Sequence, residues 1–249
     1  MNKHRCSFPA AYPILAFLSA ALFCAALAWA SDPPWKGKPY NQWDNKDLER
    51  IFGDSPWARK VQVTRSWLTF SAKDEQQNSQ LSGHDRSLPA STARSEENSI
   101  SGDVDFFVDW ASSRPMRAAS ARQAILHGTD KDVDIQKYAN EPQEEFQVIV
   151  QGADMGFFQN HDEKFFAANA FLELKKAKQK IVPIRVQYER DDKNVVTSAT
   201  FFFPKKTPSG APTLTGSEKN VDFACKIGES ILRVTFEPVK MVDKDGPTL

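Results

Sequence analysis

Residues 220–239 read NVDFACKIGESILRVTFEPV, and their pattern decides the fold. Val221, Phe223, Cys225 and Ile227 alternate with Asp222, Ala224 and Lys226. After a break, Leu232, Val234 and Phe236 alternate in the same way. Alternation with a period of two marks a strand with one buried face. Gly228-Glu229 between the runs predicts a tight hairpin turn with glycine in its first position.

Upstream the same grammar recurs. In VPIRVQYE (182–189), Val182, Ile184, Val186 and Tyr188 point one way and Arg185, Gln187 and Glu189 the other. DDKN then turns the chain into VVTSATFFF (195–203), a second hairpin signal. DVDFFVDW (103–110) and FQVIVQ (146–151) predict two further strands. Pro115 suits the first turn of a helix through MRAASARQAIL, stopped by Gly128. A longer helix is predicted from Asp162 to about Lys178. Asn169, Glu173 and Lys176 would form its polar stripe, opposite Phe166, Ala167, Ala170, Phe171 and Leu174. The order predicts an α+β fold: a mostly antiparallel sheet of about six strands, two helices on one face, and a short N-terminal helical segment.

That N-terminal segment, KPYNQWDNKDLERIFGDSPWARKV (38–61), is rich in aromatic residues. Asp44 or Asn45 can cap a helix through KDLERIF, and Gly53 ends it. Leu48, Ile51 and Phe52 make one packing stripe, and Ser55 caps a turn begun by Pro56. Trp43 and Trp57 flank these turns and are expected to staple them to the body. The competing reading is an exposed stacking platform for sugar or peptide built on Trp35, Tyr40 and Trp43; the helical spacing favours packing.

Residues 1–30 predict a signal peptide: Lys3 and Arg5, an apolar run from Ile14 to Ala28, and AWA before Ser31. Phe23 before Cys24 argues against a lipidated cysteine, and the apolar run is short for a membrane span. The expected organisation is a signal peptide (1–30), an N-terminal helical segment and strand (31–70), a disordered linker or loop (71–102) and an α+β domain (103–249). The linker reading rests on the lack of aromatic residues in 71–102, which leaves too little apolar surface to offset ordering entropy. With 32 basic and 32 acidic residues, the chain has no electrostatic footprint for nucleic acid. Of Cys6, Cys24 and Cys225, only the last would survive cleavage, so no internal disulfide is expected.

Several motifs invite chemistry and carry a plainer reading. Asp130, Asp132, Asp134 and Glu141 fall at positions 1, 3, 5 and 12 of a calcium loop, but Ile135 replaces the required glycine. A solvated acidic loop is expected, with no metal and no cofactor. His84 lies in the linker, His127 ends a helix, and His161 sits among capping acids. Cys225 lies on an apolar strand face and predicts a buried, inert thiol. Asp105 and Asp109 could form an acid–base pair, yet alternation alone explains them. No catalytic residue is therefore expected.

KPYNQW with DSPWA, the segment DWASSRPMRAASAR, and FFFP followed by KNVDFACKIGESILRVTFEPVKMV resemble a family of uncharacterised exported bacterial proteins. The resemblance covers most of residues 31–249 and implies export, with no activity, ligand or site residue attached. The expectation is a periplasmic or secreted, non-enzymatic protein with a binding or envelope-associated structural role. Its partner would be an envelope protein or a glycan, with no nucleic acid and no membrane span after cleavage. The alternatives are an extracytoplasmic hydrolase acting through carboxylates and a carbohydrate-binding module.

Overall fold

The structure is a computed structural model that describes residues 32–64 and 102–249. The expected signal peptide, with Cys6 and Cys24, lies outside the described residues. So does the expected linker with His84, apart from Gly102.

The chain is α+β, and its described strands form two large antiparallel sheets and a two-stranded hairpin near the C-terminus. The larger sheet has the order β1-β2-β3-β7-β6, from Ala58–Thr64, Asp103–Trp110, Glu145–Gly152, Val196–Pro204 and Arg185–Arg190. The smaller has the order β5-β4-β8-β9, from Gln179–Ile181, Ala170–Leu174, Val221–Ile227 and Ser230–Phe236. The inner faces meet through aromatic pairs. Trp110 of β2 packs edge-on against Phe236 of β9 at 5.2 Å, and Phe201 of β7 against Phe223 of β8 at 5.1 Å. The single sheet of about six strands is thus corrected to sheets of five and four strands. Alternation says that a strand has a buried face, but not which sheet it joins.

The hairpins stand as their sequences predict. Ile227 pairs with Ser230 across Gly228-Glu229, and Gly228 takes φ 61°, a conformation that costs glycine nothing. Val221, Phe223, Cys225 and Ile227 are all buried. In 182–189 the strand begins only at Arg185; Val182 and Ile184 are exposed, while Val186 is buried.

The long helix expected over 162–178 is a second correction. A helix caps on Asp162 and runs only through Glu163–Asn169, after which Ala170–Leu174 is strand β4. Ala170, Leu172 and Leu174 face the core and pair with Cys225, Phe223 and Val221 of β8. The segment is apolar enough to satisfy either period. The vacant pairing edge of β8 decides, because a strand there satisfies both its own backbone groups and those of β8.

We number the helices α1 (Pro34–Gly37), α2 (Asn45–Gly53), α3 (Arg114–Leu126), α4 (Ile135–Asn140), α5 (Gly156–Gln159) and α6 (Glu163–Asn169). Asp44 caps α2 in a reciprocal box with Asp47. The helix α6 touches both β6 and β8 and so bridges the two sheets. Its Phe166 stacks on Phe158 of α5 at 4.4 Å and meets Phe201 edge-on. The N-terminal segment is welded to the rest. β1 pairs along the full length of β2, α2 packs on α3, and Trp57 Nε1 donates to the Thr248 carbonyl at 3.0 Å. Among the described residues no helix is long and apolar enough to cross a membrane.

Candidate functional site

Where β2 ends, Ala111 N–H still donates to the Gln147 carbonyl of β3, and the chain then turns through Ser112 and Ser113. Ser113 caps α3 by accepting from Met116 N–H, which fixes Arg114 at the helix start. The C-terminal residues come back to this point. β10 (Val242–Asp243) pairs with β11 (Gly246–Pro247) in a tight hairpin held by Asp245 N–H donating to Asp243 Oδ1 at 2.8 Å. These pieces, the α4–β3 turn and the residue after β7 line an open pocket of about 200 Å³. Ser112, Arg114, Glu141, Gln143, Lys205 and Thr248 contribute to its wall.

The charges around this pocket are mostly neutralised. Arg114 Nη2 and Nε donate to Asp243 at 2.8 and 3.2 Å, and Nη2 also reaches the Gly246 carbonyl. Arg117, one turn further along α3, donates to the Tyr138 carbonyl and to Glu141 Oε2 at 3.3 Å. Lys205 differs. Among the described residues no Asp or Glu carboxylate pairs with it. Its ammonium donates at 3.4 Å to the main-chain oxygen of Leu249, the last residue of the sequence, and lies 5.0 Å from the Phe146 ring centre. Burial pushes its pKa below the usual lysine value, Glu144 pulls it up and Arg117 lowers it further.

Two hydroxyls in the same wall are without partners. Ser112 and Thr248 are each 5% exposed, and neither Ser112 Oγ nor Thr248 Oγ1 makes a hydrogen bond. A buried hydroxyl left unpaired costs on the order of 1–3 kcal/mol, so each such group calls for a partner or an explanation. Ser112 is not an activated nucleophile, because no base lies within hydrogen-bond reach of its oxygen. Both oxygens are shut off from solvent, and the polar groups that the pocket offers include those of Arg114, Glu141, Gln143 and Lys205.

Asp109 is the second unusual group. It sits on the outer face of β2, 5% exposed, with Oδ1 unpartnered and Oδ2 only 3.5 Å from Gln151 Nε2. Burial raises its pKa to about 7. Asp105, on the same face, is bound by Lys60 at 2.7 Å, and that hydrogen bond holds its carboxyl below the usual range. Four residues along a strand separate the two by about 13 Å, too far to flank one scissile bond.

The remaining sequence candidates resolve into structure. Trp35 is 6% exposed and Tyr40 and Trp43 are fully buried, so none offers an open face for stacking. His161 Nδ1–H donates to the Phe157 carbonyl at 3.0 Å, and the imidazole stacks on the Phe157 ring at 4.0 Å. His127 is the C-cap of α3. Asp134 caps α4, Asp130 binds the backbone of its own loop, and Glu141 faces Arg117. Among the described residues no cluster could hold a metal ion. Cys225 is fully buried, and burial pushes its thiol far above the ordinary value.

Sequence reading missed Ser112, Arg114, Lys205 and Thr248 as a group. They come from three stretches far apart in the chain, the turn that carries Ser112 and Arg114, the residue after β7 and the C-terminal hairpin, so no local spacing links the group. Compared with family models, with curated proteins and with solved structures, the chain matches none.

Proposed function

We propose that this is an exported protein that acts by binding, without catalysis, in a periplasmic or envelope-associated role. The observation that carries this reading is the pocket at the start of α3, lined by Arg114 and Lys205 and by Ser112 and Thr248, whose buried hydroxyls have no partner. Donors are present there, and no base stands by to activate a nucleophile. Its rigid walls, tied by Arg114–Asp243 and Arg117–Glu141, suit recognition of a ligand borne by an envelope protein or a glycan. The signal-like residues 1–30 and the resemblance to exported bacterial proteins support the location.

Asp109 favours a second reading, a hydrolase that uses a protonated carboxyl as general acid. That reading lacks a second carboxylate near enough to cooperate. One experiment separates the two. Expressed in a Gram-negative host, the protein should fractionate with periplasm or envelope, begin at Ser31, and turn over no ester or glycoside. Cytoplasmic fractionation with an intact Met1 overturns the location. Turnover that is lost in Asp109→Asn overturns the non-enzymatic role.

A further inference from the structure

We propose that the β4–β5 hairpin docks the protein on an anionic lipid surface through a cluster of unmatched lysines. This rests on the envelope-associated reading and names the phospholipid surface as the partner. The turn of the hairpin lies between Leu174 and Gln179, which close the β4–β5 ladder. Lys175, Lys176 and Lys178 in that turn, and Lys180 in β5, put four exposed lysines within six residues. Lys219, ahead of β8, lines the same groove of about 420 Å³ as Lys175 and Lys176. The neighbouring carboxylates are already matched. Asp222 takes Lys175 at 3.1 Å and Arg233 at 3.0 Å, and Glu173 takes Arg233 at 3.1 Å. Among the described residues no carboxylate pairs with Lys176, Lys178, Lys180 or Lys219, and Glu218 is the one acid in the groove wall. A chain with equal numbers of basic and acidic residues thus gathers an excess of positive charge in one place, which attracts anionic headgroups.

Two further observations distinguish this hairpin from a solvated turn. Lys178 stands at φ 52°, a left-handed conformation that suits glycine or asparagine and strains a lysine. The turn geometry gives no reason for a lysine there, and its charge does. Directly beyond Lys180, Val182 and Ile184 are 60% and 57% exposed, in the link between β5 and β6, the edge strands of the two sheets. Exposed aliphatic side chains offer a glycan no hydrogen bond. At a bilayer surface they leave water, while the lysine stems keep their ammonium groups at headgroup level.

The test is co-sedimentation of the purified protein with vesicles of phosphatidylcholine, with and without phosphatidylglycerol. Only the vesicles containing phosphatidylglycerol should retain it, and added salt should release it. Each lysine near an anionic surface contributes about 5-fold, so joint Lys176→Gln, Lys178→Gln and Lys219→Gln substitution should weaken binding by about 100-fold. Lys178→Gly relaxes the backbone, so it should melt no lower than the parent and still bind about 5-fold more weakly. Val182→Ser with Ile184→Ser should weaken binding and leave its salt dependence in place. Lys193→Glu, in the β6–β7 turn, is the control and should bind like the parent. Equal binding to uncharged vesicles overturns the proposal, as does a triple lysine variant that binds like the parent. Retention on a sulfated polysaccharide without binding to vesicles also overturns it, in favour of an anionic glycan. A negative vesicle assay with envelope fractionation intact removes the lipid surface and leaves the binding role standing.

Discussion

The carboxylate of Asp243 is fully buried and faces the guanidinium of Arg114 at 2.8 Å, while Tyr40 donates its hydroxyl to the same carboxylate at 2.9 Å. Three distant parts of the chain are clasped at one point: the N-terminal segment, the start of α3 and the C-terminal hairpin. Burial and the Asp243 charge push the Tyr40 hydroxyl well above the ordinary tyrosine value, so it stays a donor throughout the accessible pH range.

Breaking this clasp from the arginine side should be costly. Arg114→Met leaves a buried carboxylate without its cation and should destabilise the protein by about 3–5 kcal/mol. Tyr40→Phe removes one hydrogen bond to a charged group and should cost about 1.5–3 kcal/mol. Urea denaturation of both single variants and the double variant checks this, and the double should cost less than the sum. A loss below about 1 kcal/mol in Arg114→Met would show that the pair does not hold these segments together.

Asp109 gives the protein a pH signature of opposite sign to most carboxylates. Its folded pKa, about 7, lies above the unfolded value, so the folded state holds the proton more tightly. Its favourable contribution is complete at pH values below the unfolded pKa and is lost as pH rises through about 7. Asp109→Asn mimics the protonated form. It should stabilise the protein at pH 8 by on the order of 3 kcal/mol and change little near pH 4. Melting temperatures across that range provide the measurement, and a variant that destabilises equally at both ends rules out the buried carboxyl as the cause.

Cys225 should report the opening of the fold. It is fully buried in the core, and its pairing with Ala170 places β4 alongside it in the same sheet. A thiol reagent should label it only as fast as the protein unfolds, and at once in denaturant. Cys225→Ser should cost on the order of 1–3 kcal/mol, and Cys225→Ala less. Rapid stoichiometric labelling of folded protein would contradict the strand register of β8.

The β8–β9 turn tests the hairpin itself. Gly228 stands at φ 61°, where a Cβ is unfavourable, so Gly228→Ala should cost about 1 kcal/mol. Gly228→Asn should cost less, because asparagine visits this region more readily. Equal melting temperatures for both variants and the parent would mean that the turn relaxes.

Much of this molecule is determined by its sequence alone. The alternation of Val104, Phe106, Val108 and Trp110, and of Val221, Phe223, Cys225 and Ile227, sets strands with their buried faces. The Asp44 box and the Ser113 cap set helix starts, and Gly228 sets a turn. These features depend on neighbours within a few residues, so they are legible locally. Tertiary structure decided the rest. Ala170–Leu174 is a strand because β8 offers it an edge, although the same residues fit an apolar helix face. Asp222 reads as an outward residue yet is buried, held below the ordinary carboxylate pKa because hydrogen bonds from Thr235, Arg233 and Lys175 outweigh the effect of burial. Asp109 reads the same way and finds no such partners, so its pKa moves in the other direction. Ser112, Lys205 and Thr248 line one pocket only because β2 ends beside β3, β7 pairs with β3, and the last hairpin folds back on Arg114. Periodicity records which face of a segment avoids water. Which partner it then meets depends on contacts between residues far apart in the chain, and that is where both the pocket and the buried charges arise.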